Sequence, residues 1–370
     1  LETILLVLLY FVLFCIGVML VVWGSNGVVM GATLINKMTK VPMFFLGMFM
    51  IAIATTLPEF TVNVFATIEG NVQIAIGNIV GSNIFNIAGI LGVCSIIGGI
   101  KTERDIVVKQ VPLAAASIFI LGALCFDGNL TRLDGFILLG FFAIYLVYLY
   151  VSARIATKQA KESEHHESQE EEAEEPKFLS IFWDVFYAIV DWSRSLVGKE
   201  KHANRKVHEV TGDTIPPVAK VIIYLVVGFG ILIGGSRIMV DNAVAIARIA
   251  GMSEAFIGLT IVAMGTSMPE FAVSIMSIIK RKKNLAIGNI VGANTLNALW
   301  ALGFDTAFLR PLPFDQNNMV DMYMAFGVAV FLWLFMYLGK RYELERWQGV
   351  IFVTGFVAYV VFKYISLPRP

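Results

Sequence analysis

Charge is scarce in this sequence. Only 15% of its residues are Asp, Glu, Lys or Arg, where soluble domains carry about 25%. Its 28 basic and 28 acidic residues cancel, which removes the electrostatic footprint expected of a nucleic-acid binder. Cysteine is limited to Cys15, Cys94 and Cys125, each in or beside an apolar run and without metal-type spacing. A disulfide or zinc framework is excluded, and the three read as buried free thiols. Ser–His pairs, HExxH and paired aspartates are missing from the apolar stretches, so an intramembrane enzyme is not supported and no cofactor is expected.

Apolar residues are abundant, at 57% with a mean hydropathy of +0.76. They fall in long runs, and about 20 apolar residues are what a hydrocarbon layer of about 30 Å requires of a crossing helix. The expected fold is therefore an all-α membrane protein. Ten spans are predicted near 3–35, 41–67, 72–99, 107–126, 131–153, 217–248, 253–279, 284–304, 319–339 and 347–366. The first carries Glu2 and no basic flank, and reads as a true span rather than a leader. Residues 154–216 form a hydrophilic linker, with an acidic run at 162–175 that reads as a disordered, solvated segment. Within it, Asp184 and Asp191 share one face of an amphipathic interfacial helix over 178–192. Lys and Arg concentrate in the linker and in alternate short loops. This predicts both termini outside and residues 154–216 cytoplasmic in a cell membrane.

The chain repeats itself at a constant offset of 211 residues. Gly24-Ser25 matches Gly235-Ser236, and Pro58-Glu59-Phe60 matches Pro269-Glu270-Phe271. Residues 75–81 and 286–292 share the sequence AIGNIVG, followed by Asn83 with Asn294 and Asn86 with Asn297. The halves 1–153 and 217–370 thus carry equivalent core stretches, about 41–99 and 252–304. Each half holds five spans, so the second is inverted relative to the first. Inverted repeats with a midplane site where helices are interrupted are a secondary-transporter design.

Only Glu59 and Glu270 are expected deep inside apolar spans, at a cost of at least ~2.5–3.5 kcal/mol each. Meeting near the centre of an inverted pair, they are tolerable against a captured cation or protons. Pro58 and Pro269 lack an N–H, so the carbonyls of Ala54 and Gly265 lose helical partners and the helices should loosen around Thr55 and Thr266. Freed carbonyls, Thr hydroxyls and carboxylates make an all-oxygen environment without His or Cys. That suits a hard cation such as Ca²⁺, which takes 6–8 oxygens at about 2.3–2.6 Å. Gly77, Gly81, Gly288 and Gly292 let helices approach closely. Asn78, Asn83, Asn86, Asn289, Asn294 and Asn297 bring amides to membrane depth as ligands or bridges, with Asn86 and Asn297 expected nearest the ions.

The segments 54–59 (ATTLPE) with 77–86 (GNIVGSNIFN), and 265–270 (GTSMPE) with 288–297 (GNIVGANTLN), closely resemble the two α-repeats of the sodium/calcium exchanger family. The resemblance covers nearly the whole chain. It implies an antiporter that moves Ca²⁺ against Na⁺ by alternating access, with the first and sixth helices sliding across an eight-helix core. By the same resemblance, Glu59 and Glu270 bind Ca²⁺ with the carbonyls of Thr55 and Thr266. Na⁺ uses the same glutamates, the carbonyls of Ala52 and Ala263, the Thr55 and Thr266 hydroxyls, and Ser82. Asn86 and Asn297 line the centre, and Thr56 and Ser267 are counted with the site.

Two positions depart from the pattern. Ala293 removes a hydroxyl from the second repeat. Asn297 stands where many relatives carry Asp, which makes K⁺ dependence unexpected. The expected partners are Ca²⁺, Na⁺ and the lipid bilayer, and a monomer is compatible with the sequence. Ca²⁺/H⁺ exchange on the same fold is the second reading, because two glutamates can carry protons and Ala293 weakens a Na⁺ site. A passive cation channel or a regulatory membrane scaffold is the reading from another class.

Overall fold

The computed structural model describes residues 2–163, 217–251, 263–340 and 342–366. The acidic run, the amphipathic segment 178–192 and the start of the seventh predicted span lie outside the described residues. Ten helical segments follow one another: α1 (Glu2–Thr39), α2 (Met43–Glu69), α3 (Val72–Gly98), α4 (Ile106–Leu124), α5 (Arg132–Ser163), α6 (Pro217–Ile249), α7 (263–279), α8 (Lys283–Leu309), α9 (Gln316–Leu338) and α10 (Arg346–Ser366). Eight of them are long and apolar enough to cross a membrane by length and composition. The protein is a multi-pass membrane protein, built as two inverted five-helix repeats.

Local sequence sets the boundaries. Lys40 adopts a left-handed backbone (φ 63°) and Pro42 follows it, so α1 stops at Thr39. Gly70 (φ 87°) closes α2, where an L side chain would be strained. Asp315 caps α9 by accepting from the Asn318 N–H at 2.8 Å. Thr131 and Asp134 cap each other ahead of α5, the Thr131 N–H donating to Asp134 at 2.8 Å. Such caps contribute on the order of 1 kcal/mol each.

α2, α3, α7 and α8 form the centre, and α4, α5, α9 and α10 pack around them. Two short antiparallel ribbons tie loops together: β1 (Ile100–Lys101) pairs with β4 (Glu343–Leu344), and β2 (Asn129–Leu130) with β3 (Leu312–Pro313). Paired strands lie on the same membrane face. Each ribbon therefore requires an even number of crossings between its strands, which the four helices α5 to α8 and the six helices α4 to α9 supply. The ribbons support the crossing order predicted from the apolar runs.

α1 and α6 pack on one another in opposite directions along most of their length. Glycines at 17, 24 and 31 of α1 meet residues around 239, 232 and 225 of α6, and the backbones approach closely. The outer face of the pair is exposed and apolar, with Leu5, Leu8, Phe11, Val226 and Val227 outward. Cys15 lies on this exposed face, against the expectation of three buried thiols, because so little of α1 is covered by protein; Cys94 and Cys125 are buried.

The prolines act unequally. α2 runs as continuous α-helix through Pro58, and its irregularity lies upstream, where Leu46–Ile51 is π-helical. Helical packing on both sides holds the turn that Pro58 was expected to loosen. In α7 the chain does break, at Ser267 (φ −89°, ψ 12°), between the turn Ala263–Thr266 and the helix Met268–Ile279. α3 and α8 widen into π-helix at equivalent places, Phe85–Leu91 and Leu296–Ala301.

A Cβ at Gly24 would meet the Leu232 Cα at 2.7 Å and the Gly228 carbonyl oxygen at 2.8 Å. Gly24→Leu is therefore expected to part α1 from α6 and to destabilise by about 1–3 kcal/mol. Thermal unfolding in detergent checks this. Gly230→Ala, where nothing lies within 4 Å, is the control expected to unfold like the parent.

Candidate ion-binding site

The two halves meet at Glu59 of α2 and Glu270 of α7. Both side chains are buried, and the two carboxyl groups are neighbours. The cross-repeat contacts around them come in symmetric pairs. Ser267 donates its hydroxyl to Glu59 Oε1 at 3.0 Å, and its repeat equivalent Thr56, with Thr55, lies beside the Glu270 carboxyl. Thr55 and Asn289 Oδ1 are 3.3 Å apart, and Thr266 and Asn78 Oδ1 are 3.2 Å apart, each hydroxyl donating to the amide oxygen of the opposite half. Each amide then turns its nitrogen on its own repeat: Asn78 Nδ2 donates to the Glu59 carbonyl at 3.4 Å, and Asn289 Nδ2 to the Glu270 carbonyl at 3.3 Å. Asn78 and Asn289, which the sequence offered as ligands or bridges, act as bridges here.

A second layer is formed by α3 and α8 where they widen. Asn86 Nδ2 donates to Asn294 Oδ1 at 2.9 Å, and Asn297 Nδ2 to Asn83 Oδ1 at 3.3 Å. The halves are thus stitched by amides on both sides of the pseudo-two-fold axis. Close approach makes this reach possible: Gly288 and Gly292 of α8 lie against the backbone at Phe44 and Met48 of α2. For Gly77 and Gly81 the repeat-equivalent positions of Phe44 and Met48, 255 and 259, lie outside the described residues.

Several residues of this region carry side-chain oxygens without partners. Among the described residues, twelve buried side-chain N or O atoms have no hydrogen-bond partner. Six belong to residues singled out by the sequence: Thr56 Oγ1, Glu59 Oε2, Ser82 Oγ, Asn86 Oδ1, Glu270 Oε2 and Asn297 Oδ1. A buried polar atom without a partner costs about 1–3 kcal/mol, more when charged. Six oxygens, two of them carboxylate, are the donor set of a hard cation. No His or Cys joins them, and Ala293 packs against Ala52 without adding a hydroxyl. Thr55, Thr56, Ser82, Asn86, Ser267 and Asn297 are all buried and Thr266 is half-buried. Ala52 is buried beneath Thr55, whose hydroxyl also lies 3.4 Å from the Ala52 carbonyl. Ala263 opens the described part of α7.

Sequence reasoning overlooked one carboxylate. The eighth predicted span ends at 304, one residue short of Asp305, but α8 continues as a π-turn over Asp305–Leu309 and the side chain is buried. It accepts from Asn63 Nδ2 and from Thr67 Oγ1, both at 3.2 Å. The apolar Ala307-Phe308-Leu309 that follows it was the available signal of a longer helix.

Ten membrane helices in two inverted halves, with paired carboxylates and unpartnered oxygens at their junction, define a secondary transporter for cations. A family model described as "Sodium/calcium exchanger protein" matches residues 9–151 and 220–365, and the chain belongs to the sodium/calcium exchanger family. It is 27% identical to the inner membrane protein YrbG of Escherichia coli over 96% of this chain and 97% of that one. It is 26% identical to the sodium/calcium exchanger MaX1 of Methanosarcina acetivorans over 95% and 97% of the two chains. The solved structure of the sodium-calcium exchanger NCX_Mj soaked with Na⁺ and Sr²⁺ matches with a TM-score of 0.72 at 25% identity, covering 98% of this chain and 100% of that one.

Each bridging amide satisfies groups on both repeats. Removing one leaves buried partners unmet, so Asn78→Ala and Asn289→Ala are each expected to cost about 1–3 kcal/mol. Equal losses of thermal stability for the two variants would match the symmetric pairing. A loss confined to one would break it.

Proposed function

We propose that this chain is an antiporter exchanging Ca²⁺ for Na⁺ by alternating access, a transporter and not an enzyme. Glu59 and Glu270 are the ligands common to both ions. Thr55, Thr56, Thr266, Ser267, Ser82, Asn86 and Asn297 supply further oxygens, with backbone carbonyls at Ala52 and Ala263. The observation that carries this reading is the set of six buried, unpartnered oxygens, two of which belong to the paired carboxylates. The family and the names of its relatives MaX1 and NCX_Mj supply the ions.

Antiport follows from shared ligands. Two ions competing for the same two carboxylates cannot occupy the site together. An emptied site leaves buried negative charge, so the unloaded protein switches with difficulty and the loaded forms switch readily. Two glutamates balance one divalent charge. Both termini lie outside the cell membrane, with residues 154–216 cytoplasmic, as the Lys and Arg distribution indicates.

Ca²⁺/H⁺ exchange is the second reading. It is favoured by one observation: Ala293, packed on Ala52, supplies no hydroxyl to a Na⁺ site in the second repeat.

Reconstituted vesicles separate the two. Ca²⁺ uptake driven by an outward Na⁺ gradient at clamped pH is expected, and its absence alongside uptake driven by a pH gradient would select proton coupling. Glu59→Gln and Glu270→Gln should each lower Ca²⁺ transport by at least about tenfold, equivalent to roughly 1.4 kcal/mol or more of lost binding, while the protein still folds. Near-normal flux in either variant would remove the site assignment. Ala293→Ser is expected to strengthen Na⁺ competition in the same assay; an unchanged Na⁺ titration would count against a Na⁺ ligand position there.

A further inference from the structure

The pseudo-symmetry of the centre breaks in one direction. On the Asp305 side, α2 presents Asn63 and Thr67 and α8 presents Asp305, all fully buried. At the repeat-equivalent positions on the other side stand Ser274, Ile278 and Cys94. Because the repeats are inverted, these two clusters lie towards opposite membrane faces. One side of the centre therefore carries a carboxylate, and its counterpart carries a hydroxyl, a thiol and an aliphatic side chain.

The Asp305 carboxylate is half satisfied. Its Oδ2 accepts from Asn63 and Thr67 at 3.2 Å each, while Oδ1 is buried without a hydrogen-bond partner. The next residue, Thr306, adds a second buried oxygen without one. Arg310 does not reach the carboxylate: its Nη2 donates to the Ile68 carbonyl at 3.1 Å. Among the described residues no ion pair involves Asp305. A buried carboxylate with only neutral donors on one oxygen leaves one formal charge and one set of lone pairs unanswered.

We propose that Asp305, with Asn63 and Thr67, forms a second cation site, one-sided and selective for a monovalent ion, and that its occupant is Na⁺. One carboxylate balances one positive charge, whereas a divalent ion would leave an unanswered charge in a buried place. The choice of Na⁺ rests on the exchange reading above; the existence of the site does not. Its position links it to the centre. Asn63 Oδ1 accepts from Asn78 Nδ2 at 2.9 Å, and the same amide donates to the Glu59 carbonyl and accepts from Thr266. An ion on Asp305 thereby acts on the amide that braces the central glutamate, and the coupling is reciprocal.

The test uses the full chain in detergent, with the central carboxylates removed as E59Q/E270Q. NaCl is expected to raise the thermal midpoint of that variant by about 2 °C or more over equal choline chloride. Adding Asp305→Asn should abolish the Na⁺-specific shift, and adding Thr67→Val in its place should weaken it. Asn is nearly isosteric with Asp and removes a buried charge, so this variant is expected to fold; Thr67→Val keeps the test open if it does not. A Na⁺ shift missing from E59Q/E270Q, one that survives Asp305→Asn, or stabilisation by lower pH with no response to Na⁺ would each overturn the proposal. None of these readouts depends on Ca²⁺ flux, so failure here is distinguishable from failure of the exchange reading.

Discussion

Two carboxylates buried side by side in a membrane protein set the terms for everything around them. Alone at that depth each is costly, and together they repel. The structure answers part of that charge with a hydroxyl, Ser267 on Glu59, and sets Thr55 and Thr56 beside Glu270. The answer is left incomplete, with one oxygen of each carboxylate unpartnered. A site satisfied by protein alone would hold its neutral partners permanently. One left short of donors has a standing affinity for a cation, and that is what a carrier of ions needs.

The remaining architecture keeps this pair in register. Glycines in α8 bring its backbone against α2, so short side chains such as Asn289 and Thr55 can span the interface. π-helical widening in α3 and α8 falls at the same place in both repeats and includes Asn86 and Asn297. Such interruptions are frequent at functional sites because they free backbone groups and re-aim side chains. α1 and α6 stand apart from this lock. They pack mainly on each other through glycine and expose apolar faces, which suits a pair that shifts as a unit against a fixed centre.

Much of this was legible beforehand. Apolar run lengths predicted the described helix ends to within a few residues except where α5 and α8 run on past their predicted ends, the start of α7 lying outside the described residues, and the 211-residue offset identified Glu59 and Glu270 as symmetry mates. Spacing could not say what each amide does. Asn78 and Asn86 sit eight residues apart on one helix, yet the first braces Glu59 from within its own repeat while the second crosses to Asn294. Pro58 misled, because packing held α2 helical where local chemistry predicted loosening. Asp305 misled for a related reason: a charge near the end of an apolar run reads as loop, and only donors from another helix make its burial tolerable.

What the residues by themselves determined is the material: apolar lengths that need a bilayer, an odd number of spans per half that forces inversion, and two acids placed where inversion makes them meet. These follow from solvation and chain parity, which act along the sequence. The tertiary structure decided which oxygens are left without partners, which amides bridge, and that the symmetry fails at Asp305. Those outcomes depend on distances between α2, α3, α7 and α8 across more than two hundred residues, and side-chain pairing at that range is set by packing.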